Sequence, residues 1–412
     1  MGSGIVGLST AAALLRAGMQ VRVIDAGPAP GSGASGGNGC QLSYAYVAPL
    51  AAPGLLPEIP RLLMDPASPL SLKLRPDKHQ WQWMLRFLAA CRYSLARRST
   101  LDLIALAALS RAETELWAAS CDPEELGFKR SGKLVLHADA AGLQAARAQM
   151  QMQAAVGPAQ HELTEAQCLR VEPALDAFRG KIAGAIHTPS ECVVDGLALC
   201  RNLHRALSSR GVSFHYGVSA EHFVHRKGRV LAVATRGETL DVDELVLANG
   251  TGCASLARKL GIYLPVYPLK GYSITAKVRD ARGAPRVSVT DARRKVVYAR
   301  IGERVRVAGV AEIGAHHTGL DARRIEQLVA YANESFGSAI DLEEPQPWAG
   351  LRPATPSSVP VIGRTAYSNT HLNVGHGALG LTLAFGSARL LADMLAGLAP
   401  ALDPSVYALG SR

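Results

Sequence analysis

No run of eighteen apolar residues occurs among the 412 residues of this chain, so no helix is predicted to cross a membrane, and neither a signal peptide nor a twin-arginine run can be read in it. Cysteine is sparse and scattered. The seven (Cys40, Cys91, Cys121, Cys168, Cys192, Cys200, Cys253) form no C-x-x-C pair and have no histidine at ligand spacing, which predicts a reducing, cytoplasmic setting and argues against a metal site. Aromatic residues make up only 5% of the chain, and no RNA-binding aromatic motif or helix-turn-helix accompanies the net charge of +10. That charge is spread in pairs such as Arg97 with Arg98 and Arg293 with Arg294, which points to acidic surfaces or anionic small molecules and not to nucleic acid. There is no internal repeat, and the 48% hydrophobic composition is enough for a large core in two domains or two interleaved lobes.

The start of the chain is dense in signal. Gly2, Ser3, Gly4, Ile5, Val6 and Gly7 spell G-x-G-x-x-G and run into a helix-forming stretch, followed by Val21 to Ile24 and then Asp25, eighteen residues past the third glycine. Gly2 permits the tight turn, Gly4 lets backbone approach a pyrophosphate, and Gly7 lets the helix lie close to a sheet, while the free N–H groups of the first turn face the anion. Asp25 is placed to accept hydrogen bonds from ribose hydroxyls. Together these predict a dinucleotide site, with NAD and FAD both open. One part is apparently missing: the motif needs a hydrophobic strand before it, and only Met1 precedes Gly2. A lost central strand leaves neighbouring backbone groups unpaired at about 1 to 3 kcal/mol each, against a typical domain stability of roughly 5 to 15 kcal/mol. The expectation is therefore that a short Val/Ile-rich strand lies upstream of this sequence.

Further along, the glycine-rich run 27–39 is too loose for helix or strand and is read as a loop wrapping a long cofactor, with Ser35 among its small side chains. Prolines at 49, 53, 57 and 60 break the next apolar segment. Residues 80–95 read as a helix bearing Trp81 and Trp83, with Met84, Leu88, Cys91 and Leu95 on one stripe and Arg86, Arg92, Arg97 and Arg98 elsewhere, a pattern that suits either packing on a neighbour or lying on an anionic membrane. Alanine-rich helices over 100–121 and 139–155 complete a helical insertion. From about residue 185, a helix 196–210 and strands near 212–216, 230–235 and 244–248 lead to the turn Asn249, Gly250, Thr251, Gly252, a second place where a doubly wound sheet opens onto its ligand. Strands 272–278, 295–301 and 304–308 alternate apolar and polar residues, which predicts an antiparallel sheet with one wet face as a substrate floor. The fold class is thus α/β (α+β), a doubly wound Rossmann-like domain discontinuous in sequence plus an antiparallel-sheet substrate domain.

A second glycine-dense turn, Gly375, His376, Gly377, Ala378, Leu379, Gly380, Leu381 and Thr382, opens the last helix. Its positive pole has an obvious use in a flavin enzyme, where reduction puts negative charge at the N1/C2 carbonyl edge. Arg352, fixed between Leu351 and Pro353, suits bidentate capture of a carboxylate.

These segments, together with Asn38, Gly39 and Gln41, residues 44–49, the run Val266 to Ser273 and the run Gly350 to Pro356, resemble the FAD-dependent D-amino-acid dehydrogenases of the D-amino-acid oxidase and glycine oxidase superfamily. The resemblance covers residues 2 to about 403, although the stretch Ser190 to Asp195 matches only at Asp195. It implies noncovalent FAD in a domain of residues 1–50, 190–265 and 346–412, with residues 51–189 and 266–345 binding substrate. It also implies a carboxylate clamp by Arg352. Hydride would pass from the substrate Cα to the flavin, water would release a 2-oxo acid and ammonia, and electrons would leave to a respiratory acceptor, a quinone or an electron-transfer protein. Cofactor contacts to expect are Gly2 to Gly7, Asp25, Ala26, Ser35, Asn38, Gly39, Gln41, Val218, Ala248, Asn249, Gly250, Gly350 and Gly375 to Thr382. Tyr272 and Tyr46 are expected as pocket walls or hydroxyl donors beside Arg352, with core packing the alternative for each, and His376 as a flavin-lining group and not a base. Peripheral contact with the inner face of the cell membrane is a further expectation. The alternatives are an oxidase of the same fold acting on glycine, sarcosine or D-hydroxyproline, and a noncatalytic flavin-binding protein.

Overall fold

Strands Arg22–Asp25 and Ser213–Tyr216 pair in parallel, as do Leu245–Leu247 and Thr370–Val374, with Val361–Arg364 antiparallel at the outer edge, in a computed structural model that describes residues 1–58 and 68–411. Met1 and Gly2 join these two halves. The Met1 amine donates to the Val246 carbonyl at 2.6 Å, Ala248 N–H to the Met1 carbonyl at 2.9 Å, and Gly2 N–H to the Ile24 carbonyl at 2.9 Å. Two residues therefore stand between Arg22–Asp25 and Leu245–Leu247, where the glycine motif calls for a strand, and bond to both.

One face of this sheet carries the helices. Ile5–Arg16, Gly196–Ser208 and Gly380–Leu395 bury Leu8, Leu203 and Leu383 in one cluster with Val23 and Ile362 of the sheet. The long helix Tyr93–Ala118 joins the same cluster through Leu103, Ile104 and Leu106, and its Glu113 receives Arg16 at 2.6 Å and Arg389 at 2.9 Å. On the other face, Ile24, Leu247 and Leu372 pack on the antiparallel strands Ala220–Arg226, Arg229–Thr235 and Thr239–Asp241 and on helix Cys253–Lys259. Among the described residues, Gly377–Leu395 is long and apolar enough to cross a bilayer, but 67% of it is buried inside the protein, where it serves as the core helix between sheet and insertion.

The second sheet has nine strands. Eight run in the order Ile340–Ala354, Tyr267–Val278, Arg304–Ile313, Val296–Ile301, Ser288–Asp291, Lys133–His137, Gly184–Thr188, His161–Leu163, and the ninth, Leu70–Leu72, pairs in parallel with Arg304–Ile313 off this path. The floor has no wet face, contrary to the alternation of its sequence: ten successive residues of Tyr267–Val278 are buried. Some of its polar side chains are satisfied internally, with Ser273 Oγ donating to the Gly37 carbonyl at 2.7 Å and Tyr272 OH to Glu312 at 2.9 Å. Helix Ala322–Phe336 covers the far face.

The helix read over 80–95 is two helices, Lys78–Ala90 and Tyr93–Ala118, broken at Cys91 and Arg92. Gln80, Trp83, Phe87 and Ala90 form its buried face in place of the stripe read from the sequence, and Leu88 and Leu95 are exposed. Tertiary contact decides this, since Trp83 Nε1 donates to the Ala354 carbonyl at 2.8 Å and turns that face inward. Pro53 opens a short 3-10 turn, while Pro60 lies outside the described residues.

Candidate active site

The ends of both sheets and the starts of two helices surround one cavity of about 1350 Å³. Gly2, Gly4, Ile5, Val6, Asp25, Ala26, Ser35, Asn38, Gly39, Gln41, Tyr46, Val218, Ala248, Asn249, Gly250, Gly350, Arg352 and all of Gly375 to Thr382 line it. Three residues singled out from the sequence do not. Ser3 supports the wall from behind, donating to Asp25 from its N–H at 2.5 Å and from its hydroxyl at 2.8 Å. Gly7 packs on the glycine turn, where a Cβ would sit 1.9 Å from the Gly2 carbonyl oxygen. Tyr272 points to the opposite face of the sheet into the Glu312 cluster, so the wall or donor role expected for it does not fit its position.

At one end of the cavity the residues suit a dinucleotide. Helix Ile5–Arg16 begins at Gly4 without a side-chain cap, and the Ile5 N–H is held by Ser35 Oγ at 3.0 Å, so its remaining first-turn donors are available to an anion. Gly2 has φ +104°, and a Cβ there would lie 2.6 Å from the Ala248 carbonyl oxygen, which fixes glycine at the crossing of turn and sheet. Asp25 accepts from Ser3 and, at 2.6 Å, from the Gly27 N–H, and retains lone pairs facing the cavity. Asn249 Oδ1, buried in the wall, has no hydrogen-bond partner among the described residues.

At the far end, helix Gly380–Leu395 also starts without a side-chain cap and without an acidic residue in its first turn, so its positive pole is open to the cavity. His376 is buried at the same turn, its Nε2 2.9 Å from Ser387 Oγ. Burial lowers its pKa to about 3, which keeps the ring neutral. These groups fit FAD: a cradle for the pyrophosphate, an acid for the ribose, and a helix pole for the electron-rich edge of a reduced ring. When bound, FAD supplies the hydride acceptor.

Arg352 lies on the floor between these ends. Its guanidinium crosses Gly271 of the neighbouring strand so closely that a Cβ there would be 2.2 Å from Nη2. Among the described residues, no carboxylate or carbonyl accepts a hydrogen bond from it, although burial lowers its pKa. On the next strand, the pairings Gly271 with Ala311 and Tyr272 with Gly309 leave Val310 as the extra residue of a bulge. Val310 has φ +54°, a strained conformation for a β-branched residue, and lines the cavity.

Sequence reasoning missed two further wall residues. Trp348, set between prolines with no periodic signal around it, lies flat on glycine: a Cβ at Gly350 or Gly37 would come within 2.1 or 2.2 Å of its ring. Lys133 opens a strand and carries no motif, yet its ammonium is in the cavity wall beside Gln41, Ser43 and Tyr46.

A doubly wound nucleotide sheet joined to an antiparallel floor bearing an unpaired arginine defines a flavin-dependent oxidoreductase. Residues 1–394 match the family described as DAO, FAD dependent oxidoreductase, and the chain belongs to that family. It is 45% identical over 418 residues to D-amino acid dehydrogenase 2 of Ralstonia nicotianae, with 99% of this chain and 98% of that protein covered. It is 42% identical over 405 residues to the protein of the same name from Pseudomonas aeruginosa, covering 98% and 95%. Among solved structures it resembles L-proline dehydrogenase from P. horikoshii, with TM-score 0.76, 16% identity and 99% and 95% of the two chains covered. Glycine oxidase from Geobacillus kaustophilus follows at TM-score 0.74 and 19% identity, covering 100% and 97%. These likenesses establish the fold. The enzyme is an FAD-dependent oxidoreductase.

Proposed function

We propose that the protein oxidises D-amino acids to 2-oxo acids and ammonia and passes the electrons to a membrane quinone or an electron-transfer protein. The observation that carries this is the guanidinium of Arg352, unpaired on the floor of a cavity that fits FAD. A buried cation without an internal partner is costly unless a ligand brings the opposite charge, and a planar guanidinium matches a carboxylate in two parallel hydrogen bonds. The names of the relatives supply the configuration at Cα. No side chain is needed as a base, because the arginine and the floor would fix the Cα for hydride loss and the substrate ammonium can give its proton to water beforehand.

The test is anaerobic addition of D- and L-amino acids to the purified yellow protein. D-amino acids should bleach the flavin and L-isomers should not. Arg352→Ala should lose about 2 to 3 kcal/mol of transition-state binding, on the order of a hundredfold in kcat/KM. Wild-type-like kcat/KM of the variant for carboxylate-bearing substrates would remove Arg352 from the clamp role. Reduction of a dye or quinone without peroxide under air separates a dehydrogenase from an oxidase.

The acceptor reading draws on helix Lys78–Ala90. Trp83 and Phe87 face the cavity from it, while Trp81 and Leu85, on its other side, are 45% and 66% exposed. A helix apolar on both sides and flanked by arginines suits peripheral contact with the cytoplasmic face of a membrane, where a quinone is within reach.

A further inference from the structure

Lys133 is 2% exposed and, among the described residues, has no carboxylate within ion-pair distance. Its Nζ donates to Gln41 Oε1 at 2.9 Å and to Ser43 Oγ at 2.7 Å, and it stands 4.5 Å from the centre of the Tyr46 ring. All three partners are neutral. Their placement is itself fixed: Gln41 Nε2 donates to Ser288 Oγ, which turns Oε1 toward the lysine, and Ser43 N–H donates to Thr382 Oγ1 at 3.2 Å. Glu191, the acid whose field reaches Lys133, spends its oxygens on the N–H groups of Tyr44 and Ala45, each at 2.7 Å. The third direction of the ammonium is left to the ring of Tyr46. That residue exposes 47% of its area to the cavity, and its hydroxyl has no protein partner among the described residues.

A buried ammonium with only neutral partners is undercompensated in charge, and it shares one cavity with a second unpaired cation, Arg352. Lys259 and Lys295 also line the cavity but are exposed to solvent; the two enclosed cations, Lys133 and Arg352, complement a ligand with two separated anions. We propose that Lys133, with the Tyr46 hydroxyl, forms the side-chain subsite of the substrate and selects amino acids whose side chain bears a carboxylate or a similar anionic group. This rests on the reading that Arg352 holds the α-carboxylate of an amino acid. The subsite requires no new chemistry: it positions the substrate, and the hydride leaves Cα as for any other side chain.

Isosteric substrates isolate the charge. The FAD-loaded enzyme should show a kcat/KM at least tenfold higher for D-glutamate than for D-glutamine, mostly through KM, and likewise for D-aspartate over D-asparagine. Lys133→Met should lower the glutamate-to-glutamine ratio by on the order of fiftyfold, the scale of one lost charge-assisted hydrogen bond with its ion contact. Lys133→Arg should restore part of that ratio, and Tyr46→Phe should lower it severalfold. A readout independent of turnover is the shift of the visible flavin spectrum on adding glutarate or butyrate to the oxidised enzyme. Glutarate should bind more tightly than butyrate in the wild type, and Lys133→Met should narrow the gap.

A wild-type ratio near one, or a ratio that survives Lys133→Met, overturns the proposal. So does an equal loss on both isosteres, which would place Lys133 in a step common to all substrates. If Lys133→Met does not hold FAD, Lys133→Arg, Tyr46→Phe and the wild-type glutarate titration decide the same question. Failure of every D-amino acid to bleach the flavin counts against the proposed reaction. The glutarate titration still reports on the subsite in that case.

Discussion

Gly271 has no side chain because the guanidinium of Arg352 occupies the place where one would be, 2.2 Å from an ideal Cβ. The obstructed atoms are the far end of a flexible side chain, so Gly271→Ala should cost the fold little and the site much. The expected outcome is an enzyme with normal FAD content and a melting temperature within about 3 °C of wild type, whose kcat/KM for D-amino acids falls at least tenfold, in line with the cost of displaced positioning groups. Loss of FAD together with activity would show that the glycine serves the sheet and not the clamp. The same scale governs the pH response of Lys133. Burial lowers its pKa to about 8, so the ammonium is complete near pH 6.5 and is lost as pH rises through 8. The titratable neighbours Tyr46 and Glu191 both have raised pKa values, so the phenol stays neutral across that range. Preference for acidic over isosteric neutral substrates in kcat/KM, which reports the free enzyme, should therefore be present below pH 8 and fade above it. A ratio constant from pH 6.5 to 9.5 would contradict this. Of these two cations only Arg352 was legible in the sequence, because it sits in a recognisable run. Lys133 has no local signature, and its meaning comes from Gln41, Ser43 and Tyr46, which lie about ninety residues away.

At the scale of elements, Gly7 within the first helix and Gly18 just past its end show which backbone approaches matter. A Cβ on Gly7 would meet the Gly2 carbonyl oxygen at 1.9 Å, backbone against backbone, so helix Ile5–Arg16 would have to retreat from the sheet and carry its free N–H groups away from the cavity. At Gly18, φ is +84° and nothing lies within 4 Å of the added carbon. Gly7→Ala should therefore destabilise by roughly 1 to 3 kcal/mol, the range of overpacked cores, and lose FAD. Gly18→Ala should cost only about 1 to 2 kcal/mol of backbone strain and keep its yellow colour. Melting temperature and bound flavin, measured on both variants, check the contrast, and equal flavin loss in the two would refute it. The helices and both glycine turns were readable because capping, periodicity and the G-x-G-x-x-G spacing are local. Strand Ile340–Ala354 was not, since Pro345, Pro347 and Pro353 speak against a strand. It stands at the end of the strand order, the position where a sheet tolerates proline. The wet face predicted for the floor failed for a related reason: Lys270, Ser273 and Glu312 find internal partners that no period-two pattern reveals.

For the whole molecule, the question is how electrons collected in the cavity reach an acceptor outside it. The net charge of +10 is not evenly useful. Around helix Lys78–Ala90, the exposed Trp81, Leu85, Leu88 and Tyr93 stand among Arg86, Arg92, Arg97 and Arg98, all exposed. The sequence suggested such a surface without separating its two tryptophans: the Trp83 indole is buried against Ala354, and Trp81 is the one that faces out. Each basic side chain near an anionic bilayer contributes about 1 kcal/mol and is screened within roughly 10 Å at 0.1 M salt. Buried aromatic and leucine side chains add a term that salt does not remove. The protein should therefore co-sediment with vesicles containing phosphatidylglycerol, bind far less to pure phosphatidylcholine, and be partly released by 0.5 M salt. The variant carrying Trp81→Ser and Leu85→Ser should stay in the supernatant while its flavin is still bleached by substrate, because neither side chain lines the cavity. Quinone reduction in vesicles should fall with binding, and reduction of a soluble dye should not. If the double variant binds vesicles as the wild type does, this face is not the docking surface. If it reduces vesicle quinone equally well without binding, the acceptor is reached through solution.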